Sequence, residues 1–382
     1  MADLRPALAT ARAMLARLKP LAEPSGAEAA TAAALADFLA GLRPARLITG
    51  LGGHGLLAEF AGCQPGPGCQ PGPGRAPGPC LLWRAELDAV PGPEGRPAHL
   101  CGHDGHLAVL AGLAAHLSAH PPARGRVLLA CQPAEENGQG AAAFLADPRL
   151  NDLPVDLALA FHNLPGPPLG QVSARSGAMN CASVGLAARL NGLASHAALP
   201  EQGRCPAPAL ARLLTELPGL PAGLDGLALV TIVHARLGQP AFGVSPGDAQ
   251  IMATLRADSD ANLAALLSAA SQAVAQAAKA HGLEHGLELR DRFPATINHP
   301  AAVDLARRAC ATAGLAWREP ALPFRWSEDF GAFGQRWPAA LLVLGSGPQC
   351  PPLHNPGYQF PEALIEPALR LALACVTESL RD

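Results

Sequence analysis

CLLWRAELDAVPGPEGRPAHLCGHDGHLAVLAGLAAHL, residues 80–117, reads as strand, loop and helix in succession. CLLWRAELDAV (80–90) is an apolar, β-prone run, and GHLAVLAGLAAHL (105–117) carries a helical pattern rich in Ala and Leu. Further along, RVLLACQP (126–133), VDLALAFHN (155–163) and AALLVLGS (339–346) are apolar runs of strand length, and a last helix is expected near 361–380. Apolar runs of this length between helices read as buried strands of an α/β sheet. Upstream, two Ala-rich helical patterns cover roughly residues 3–18 and 26–42. Between them and the first strand lies CQPGPGCQPGPGRAPGPC (63–80), a tandem Cys-Gln-Pro-Gly-Pro-Gly repeat read as a mobile surface loop. Its cysteines, Cys63, Cys69 and Cys80, fit no closed zinc spacing.

The pattern changes between about 178 and 292. SVGLAARLNG reads as a strand, PAPALARLLTEL as a helix, GLALVTIVHARLG and DAQIMATLRAD as strands, and GLELRDRF as a final strand. Before that last strand comes a long helix, DANLAALLSAASQAVAQAAKAHG, with Asp260 expected as its N-cap. The order β-α-β-β-α-β is that of a split βαβ, or ferredoxin-like, α+β unit. The expected organisation is a catalytic domain made of 1–177 and 293–382, with 178–292 inserted into it.

Composition narrows the function classes. The chain has 382 residues, 49% of them apolar and 15% charged, with a formal charge of −3, which leaves no basic footprint for nucleic acid. No stretch reaches the length of a membrane span, and the N-terminal segment is broken by Arg5, Arg12 and Arg17, unlike a signal peptide. Ten irregularly spaced cysteines in so long a chain point to free thiols or ligands in a reducing, cytoplasmic compartment.

Chemistry-bearing residues recur at the carboxyl ends of the expected strands. Asp88, Cys101 and His103 follow the first, Glu135 and Glu136 the second, His162 ends the third, and His354 follows the last. Ligands of open α/β sheets gather at that edge. Thiol, imidazole and carboxylate together suit zinc, with manganese or cobalt as alternatives. The donors outnumber the needs of one tetrahedral ion, so two ions sharing Cys101 are expected. In extended backbone Glu135 and Glu136 point to opposite sides, so one can bind metal while the other takes the proton of a polarised water. His106 and Asp104 read as supporting or structural, Asp104 as a helix N-cap, and Glu328–Asp329 as either a brace or a cap.

RAELDAVP, HLCGHDGH, QPAEENGQGA, AFHN, SHAALP, WSEDF and PLHNP, in this order, resemble the di-metal aminoacylase and carboxypeptidase G peptidases, most closely the hippurate and indoleacetyl-amino-acid amidohydrolases. The resemblance runs from about residue 50 to 375. It implies a mixed-sheet di-zinc exopeptidase-like catalytic domain and an inserted lid and dimerisation domain. It implies Cys101, His103, Glu136, His162 and His354 as metal ligands, Glu135 as the catalytic base and Asp88 as the residue orienting a ligand. His196, in the inserted domain, would help polarise the scissile carbonyl, and Arg256 would contact the substrate carboxylate. Glu86 stands where the branch usually has Asp, Gly243 where it usually has a carboxylate-holding Asn, and the loop from Asp88 to Cys101 is shorter than usual. The expected activity is hydrolysis of the amide bond of N-acyl amino acids or related conjugates by a homodimer. The alternatives are a dipeptidase or carboxypeptidase with the same centre, and a non-catalytic binding protein.

Overall fold

The computed structural model describes residues 3–62 and 78–381. Cys63, Cys69 and nearly all of the tandem repeat, with the expectation of a mobile loop there, lie outside the described residues. Cys80 is within them and is a buried strand residue.

The chain begins with α1 (Arg5–Leu18) and α2 (Ala29–Gly41), then an antiparallel pair, β1 (Arg46–Leu51) and β2 (Gly55–Ala61). Next come β3 (Cys80–Glu86), α3 (His103–Ala119), β4 (Arg126–Gln132), β5 (Leu157–Leu164) and the short β6 (Val172–Ser173). A second segment carries β7 (Ala182–Asn191), β8 (Ser195–His196), α4 (Ala207–Glu216), β9 (Ala228–Leu237), β10 (Val244–Ser245), β11 (Asp248–Ala257), α5 (Asp260–Ala280) and β12 (Glu284–Phe293). The chain ends with α6 (Pro300–Thr312), β13 (Trp317–Arg318), β14 (Ala339–Gly345) and α7 (Ile365–Ser379).

Two compact units result. The first runs to Met179 and takes in Thr296–Leu322 and everything from Asp329 onward. Its eight-stranded mixed sheet has the order β1-β2-β4-β3-β5-β14-β6-β13. The middle of the sheet is parallel, with β4 on β3, β3 on β5, and β5 on β14, so four carboxyl ends open on one edge. The hairpin of β1 and β2 adds antiparallel strands at one side, making the sheet mixed as the resemblance implied, although these two strands were not read from the sequence. β2, β3, β4 and β14 are buried along their whole length, as expected of strands covered on both faces. α3 is apolar all round and buried on nearly every side, lying against α1, α7 and β3. Gly112 lets it approach α1: a Cβ there would come 2.9 Å from the Ala7 carbonyl oxygen.

The second unit comprises Asn180–Ala295 and Pro323–Glu328. Its antiparallel sheet has the order β9-β11-β7-β12, the strand order of a ferredoxin-like unit, with α4 and α5 on its buried face. The Pro323–Glu328 segment joins it by hydrogen bonds: Cys181 N–H donates to Phe324 O at 3.1 Å, and Arg256 to Ser327 Oγ at 2.8 Å. Asp260 is not the N-cap of α5. Ser259 fills that position, its Oγ accepting from Asn262 N–H, while Asp260 accepts from Ala295 N–H at 2.9 Å. Among the described residues no helix is long and apolar enough to cross a membrane.

A buried positive charge in the middle of β3 interrupts the apolar centre of the first unit. Arg84 on β3 is fully buried and pairs with Glu86, with Asp329 at 2.7 Å and with the Gln132 side chain at 2.8 Å. Replacing Arg84 by Met strands two buried carboxylates. Urea unfolding of the Arg84→Met protein should show a loss of about 3–5 kcal/mol, the cost of breaking a buried pair from one side.

Candidate metal centre

The four parallel strands deliver their chemistry to a single edge. β3 ends at Glu86, and the chain then passes Asp88 and turns back to Cys101 at the mouth of α3. Gly102 makes that turn with φ +92°, and His103 is the first helical residue. A Cβ on Gly102 would lie 2.5 Å from Asn163 Oδ1 and 2.8 Å from Tyr358 Oη, so only glycine fits. Asp104 therefore does not cap α3. The cap position belongs to Gly102, and Asp104 accepts from the N–H of Gly105.

Two groups of donors form here, with atoms within 4.8 Å of one another. One is Cys101, His103 and His162, all buried; the other is Cys101, Glu136 and His354. Cys101 belongs to both. A third group joins His103 to Glu135 and Glu136.

Hydrogen bonds orient the imidazoles. His103 Nδ1–H donates to the main-chain oxygen of Asp88 at 2.9 Å, and the Asp88 carboxylate stands at 3.4 Å. Nε2 is thereby turned towards Glu136 Oε1 at 3.6 Å and Glu135 Oε2 at 3.9 Å. His162 Nδ1–H donates to Asn163 O at 2.8 Å, which points its Nε2 at Cys101 Sγ, 3.5 Å away. His354 sits at φ +63°, and its N–H donates to Leu100 O at 2.8 Å, tying the loop after β14 to the residue before Cys101. Its Nε2 stands 3.8 Å from Glu136 Oε1. Strain of this kind in a non-glycine residue is characteristic of functional positions.

The glutamate pair differs from the expected extended geometry. Glu135 and Glu136 lie in a turn after β4, introduced by Ala134 at φ +52° and closed by Gly138 N–H to Glu135 O. Both carboxylates consequently reach His103 instead of facing opposite sides. They still differ in setting. Glu135 is buried, with Asp329 N–H donating to its Oε1 at 3.4 Å, whereas Glu136 is partly exposed. Glu136 is anchored through its backbone, whose N–H donates to Asp88 Oδ2 at 2.9 Å. Asp88 thus holds both ends of this corner, with Ser25 Oγ–H as a further donor at 2.7 Å. Burial would raise the Asp88 carboxyl, but these donors and His103 bring it below its usual value. Ser25 carries no signal in the sequence.

The residues fit a cation. His103 Nε2 is buried without a hydrogen-bond partner and faces two carboxylates. Such an orphaned nitrogen costs free energy unless a proton or a metal occupies it. Burial opposes protonation of His103, yet the Asp88 hydrogen bond and the charges of Glu86 and Glu136 prevail and raise its pKa to about 10. His162 goes the other way: burial, then the His106 and His103 charges, lower it to about 3 against the Glu86 charge, leaving a neutral ring whose Nε2 faces Cys101 Sγ. Thiol and imidazole donors together suit zinc.

His196 and Arg256 lie in the second unit. His196 is exposed on β8, paired with Val244 of β10, and its Nδ1 accepts from Ala198 N–H at 3.0 Å. That assigns the ring proton to Nε2. Arg256 donates to Ser327 Oγ and to Arg325 O. Gly243 accepts from Ala197 N–H through its carbonyl, and a Cβ there would meet nothing within 4 Å.

Residues 82–378 match a model of Peptidase family M20/M25/M40. An IAA-amino acid hydrolase of Arabidopsis thaliana is 30% identical over 78% of this chain and 73% of its own length. An N-acetyl-L-cysteine deacetylase of Bacillus subtilis is 27% identical over 85% of this chain and 76% of its own. A dinuclear metal-binding M20 peptidase of Bacillus subtilis superposes with a TM-score of 0.79 at 21% identity, covering 98% of this chain and 99% of the other.

A metal must displace the proton that His103 holds below pH about 10. Zinc uptake at pH 8 should therefore release about one proton from His103, and apparent affinity should rise as pH rises towards that value. Calorimetric titration with zinc in buffers of different ionisation enthalpy measures the release, which should fall by about one proton in His103→Asn, while the proton of the Cys101 thiol is still given up.

Proposed function

This chain belongs to peptidase family M20/M25/M40 and is a metal-dependent hydrolase of amide bonds, and on that premise we propose that it cleaves N-acyl amino acids or related conjugates with Glu135 as the general base. The observation that carries the reading is the shared Cys101, one thiol common to two donor triads, with a buried carboxylate beside them. In this reading Cys101, His103 and His162 hold one divalent ion, and Cys101, Glu136 and His354 a second. Zinc suits the thiol and imidazoles best, with manganese or cobalt as alternatives. The ions supply Lewis acidity to water and to the amide carbonyl.

The chain's own residues do the rest. Asp88 fixes the tautomer of His103 through its main-chain oxygen and anchors the glutamate turn through its carboxylate. Glu135 accepts the proton of the attacking water and returns it to the leaving nitrogen as the C–N bond breaks. Its burial keeps that proton from bulk solvent. His196 Nε2–H is a donor suited to the oxygen on which negative charge develops, the role the family pattern gives it. Arg256 supplies a guanidinium for the substrate carboxylate, its Nη1 held by Ser327. Homodimerisation is assigned to the second unit, whose edge strand β9 leaves Val233 and Leu237 exposed.

Glu135→Gln should keep its zinc content and lose about 10²–10⁴-fold in kcat on N-acetyl amino acids. Full activity in that metal-loaded protein would remove Glu135 from the mechanism, and faster cleavage of unblocked dipeptides than of acylated amino acids would make the enzyme a dipeptidase. Gly243→Asn, with open space for its side chain, should leave the thermal midpoint unchanged and lower KM for substrates bearing an α-carboxylate. Steady-state kinetics with an acyl amino acid and its amide checks this.

A further inference from the structure

Beneath the donor cluster runs a line of buried hydrogen bonds among residues that are not themselves donors to the two triads. Glu86, at the end of β3, accepts from His106 Nδ1–H at 2.6 Å. His106, one turn into α3, donates from Nε2–H to Asn163 Oδ1, also at 2.6 Å. Asn163 Nδ2–H donates to Tyr358 Oη at 2.6 Å. All four side chains are buried, and Arg84 holds the remote end by pairing with Glu86.

This line touches the segments that carry Cys101, His103, His162 and His354. Asn163 follows His162 and offers it the carbonyl that sets its tautomer. The His106 ring stands edge-on to His162, with centroids 4.9 Å apart and planes at 72°. Asn163 Oδ1 and Tyr358 Oη press against Gly102, between Cys101 and His103. Tyr358 shares an apolar cluster with Leu100 and Cys101, and its N–H bonds to Asn355 O in the loop that presents His354.

We propose that Glu86, His106, Asn163 and Tyr358 form a positioning relay that sets the metal affinity of the Cys101–His103–His162 triad. The relay locks the His162 ring and the Cys101–Gly102 backbone into mutual register. The inference rests on the metal-holding part of the function proposed above, and not on its substrate.

The test uses the full-length protein, titrated with zinc against a chromophoric chelator, together with the electronic spectrum of the cobalt-substituted form. Tyr358→Phe removes one oxygen and keeps the ring, and His106→Gln shortens the relay at its centre. Each should weaken the tighter zinc site about 10–100-fold, the usual effect of losing a residue that orients a ligand. Each should also shift the position of the cobalt–thiolate band in the protein that stays folded, whereas an effect on folding alone lowers its amplitude without moving it. The double variant should lose much less than the product of the two single losses, because both act through Asn163. Wild-type zinc affinity and an unchanged cobalt–thiolate band in Tyr358→Phe overturn the relay, whether or not His106→Gln folds. Cys101→Ala is the separate control: undiminished zinc binding there would refute the metal centre itself, independently of the relay.

Discussion

Lone pairs gathered out of water are the constraint on which the rest of this structure depends. Cys101, His103, His162 and Glu135 are buried together, and most of what they present to one another is acceptor. Such an arrangement is costly unless positive charge is shared among its members. The raised pKa of His103 expresses that demand as a proton, and the overlap of two triads at Cys101 has the form in which two cations would answer it. The depressed pKa of His162, a few ångströms away, shows burial prevailing where His106 and His103 act with it and Glu86 against it.

The scaffold manages this by layers. Parallel pairing of β4, β3, β5 and β14 brings four strand ends to one edge, so residues far apart in the chain meet without long loops. Below them Arg84 provides a permanent charge that binds Glu86 and Asp329, while Gln132 bridges to the same aspartate. Between floor and cluster, His106, Asn163 and Tyr358 continue a line of buried hydrogen bonds from Glu86 to the residues beside the donor groups. Ala134 and His354, non-glycine residues in left-handed backbone, are places where the chain accepts strain to close the cluster, while Gly102 makes its left-handed turn without it. The second unit is built on a simpler principle, an amphipathic antiparallel sheet under two helices, and places His196 and Gly243 on opposed short strands or their flank.

Much of this was legible along the chain. The strand–loop–helix reading of residues 80–117 and the βαββαβ order of the second unit follow from hydrophobic period, because burial on one or both faces leaves a repeat in the sequence. The donors Cys101, His103, Glu135, Glu136, His162 and His354 stood out because they interrupt or immediately follow apolar runs. Arg84 was legible in principle, since a charge inside a central strand requires a partner, but nothing local names Asp329 as that partner. Caps were misjudged by one or two residues: Ser259 displaced Asp260, and Gly102 displaced Asp104. Acidic residues near helix starts have similar propensities, and the choice depends on which φ and ψ the preceding chain imposes.

By itself, then, the sequence determined the element order, the class of each unit and the set of residues carrying metal-ligand chemistry, because these depend on local period and residue type. Only the tertiary structure decided how those residues combine. It placed one thiol in two triads, turned both glutamates towards His103, made the Asp88 backbone and not its carboxylate the nearest acceptor, and recruited Ser25, Asn163 and Tyr358. These outcomes are distances between groups tens or hundreds of residues apart, set by strand register and by a few left-handed backbone positions. No local pattern encodes such distances, since each depends on where the whole sheet puts its strand ends.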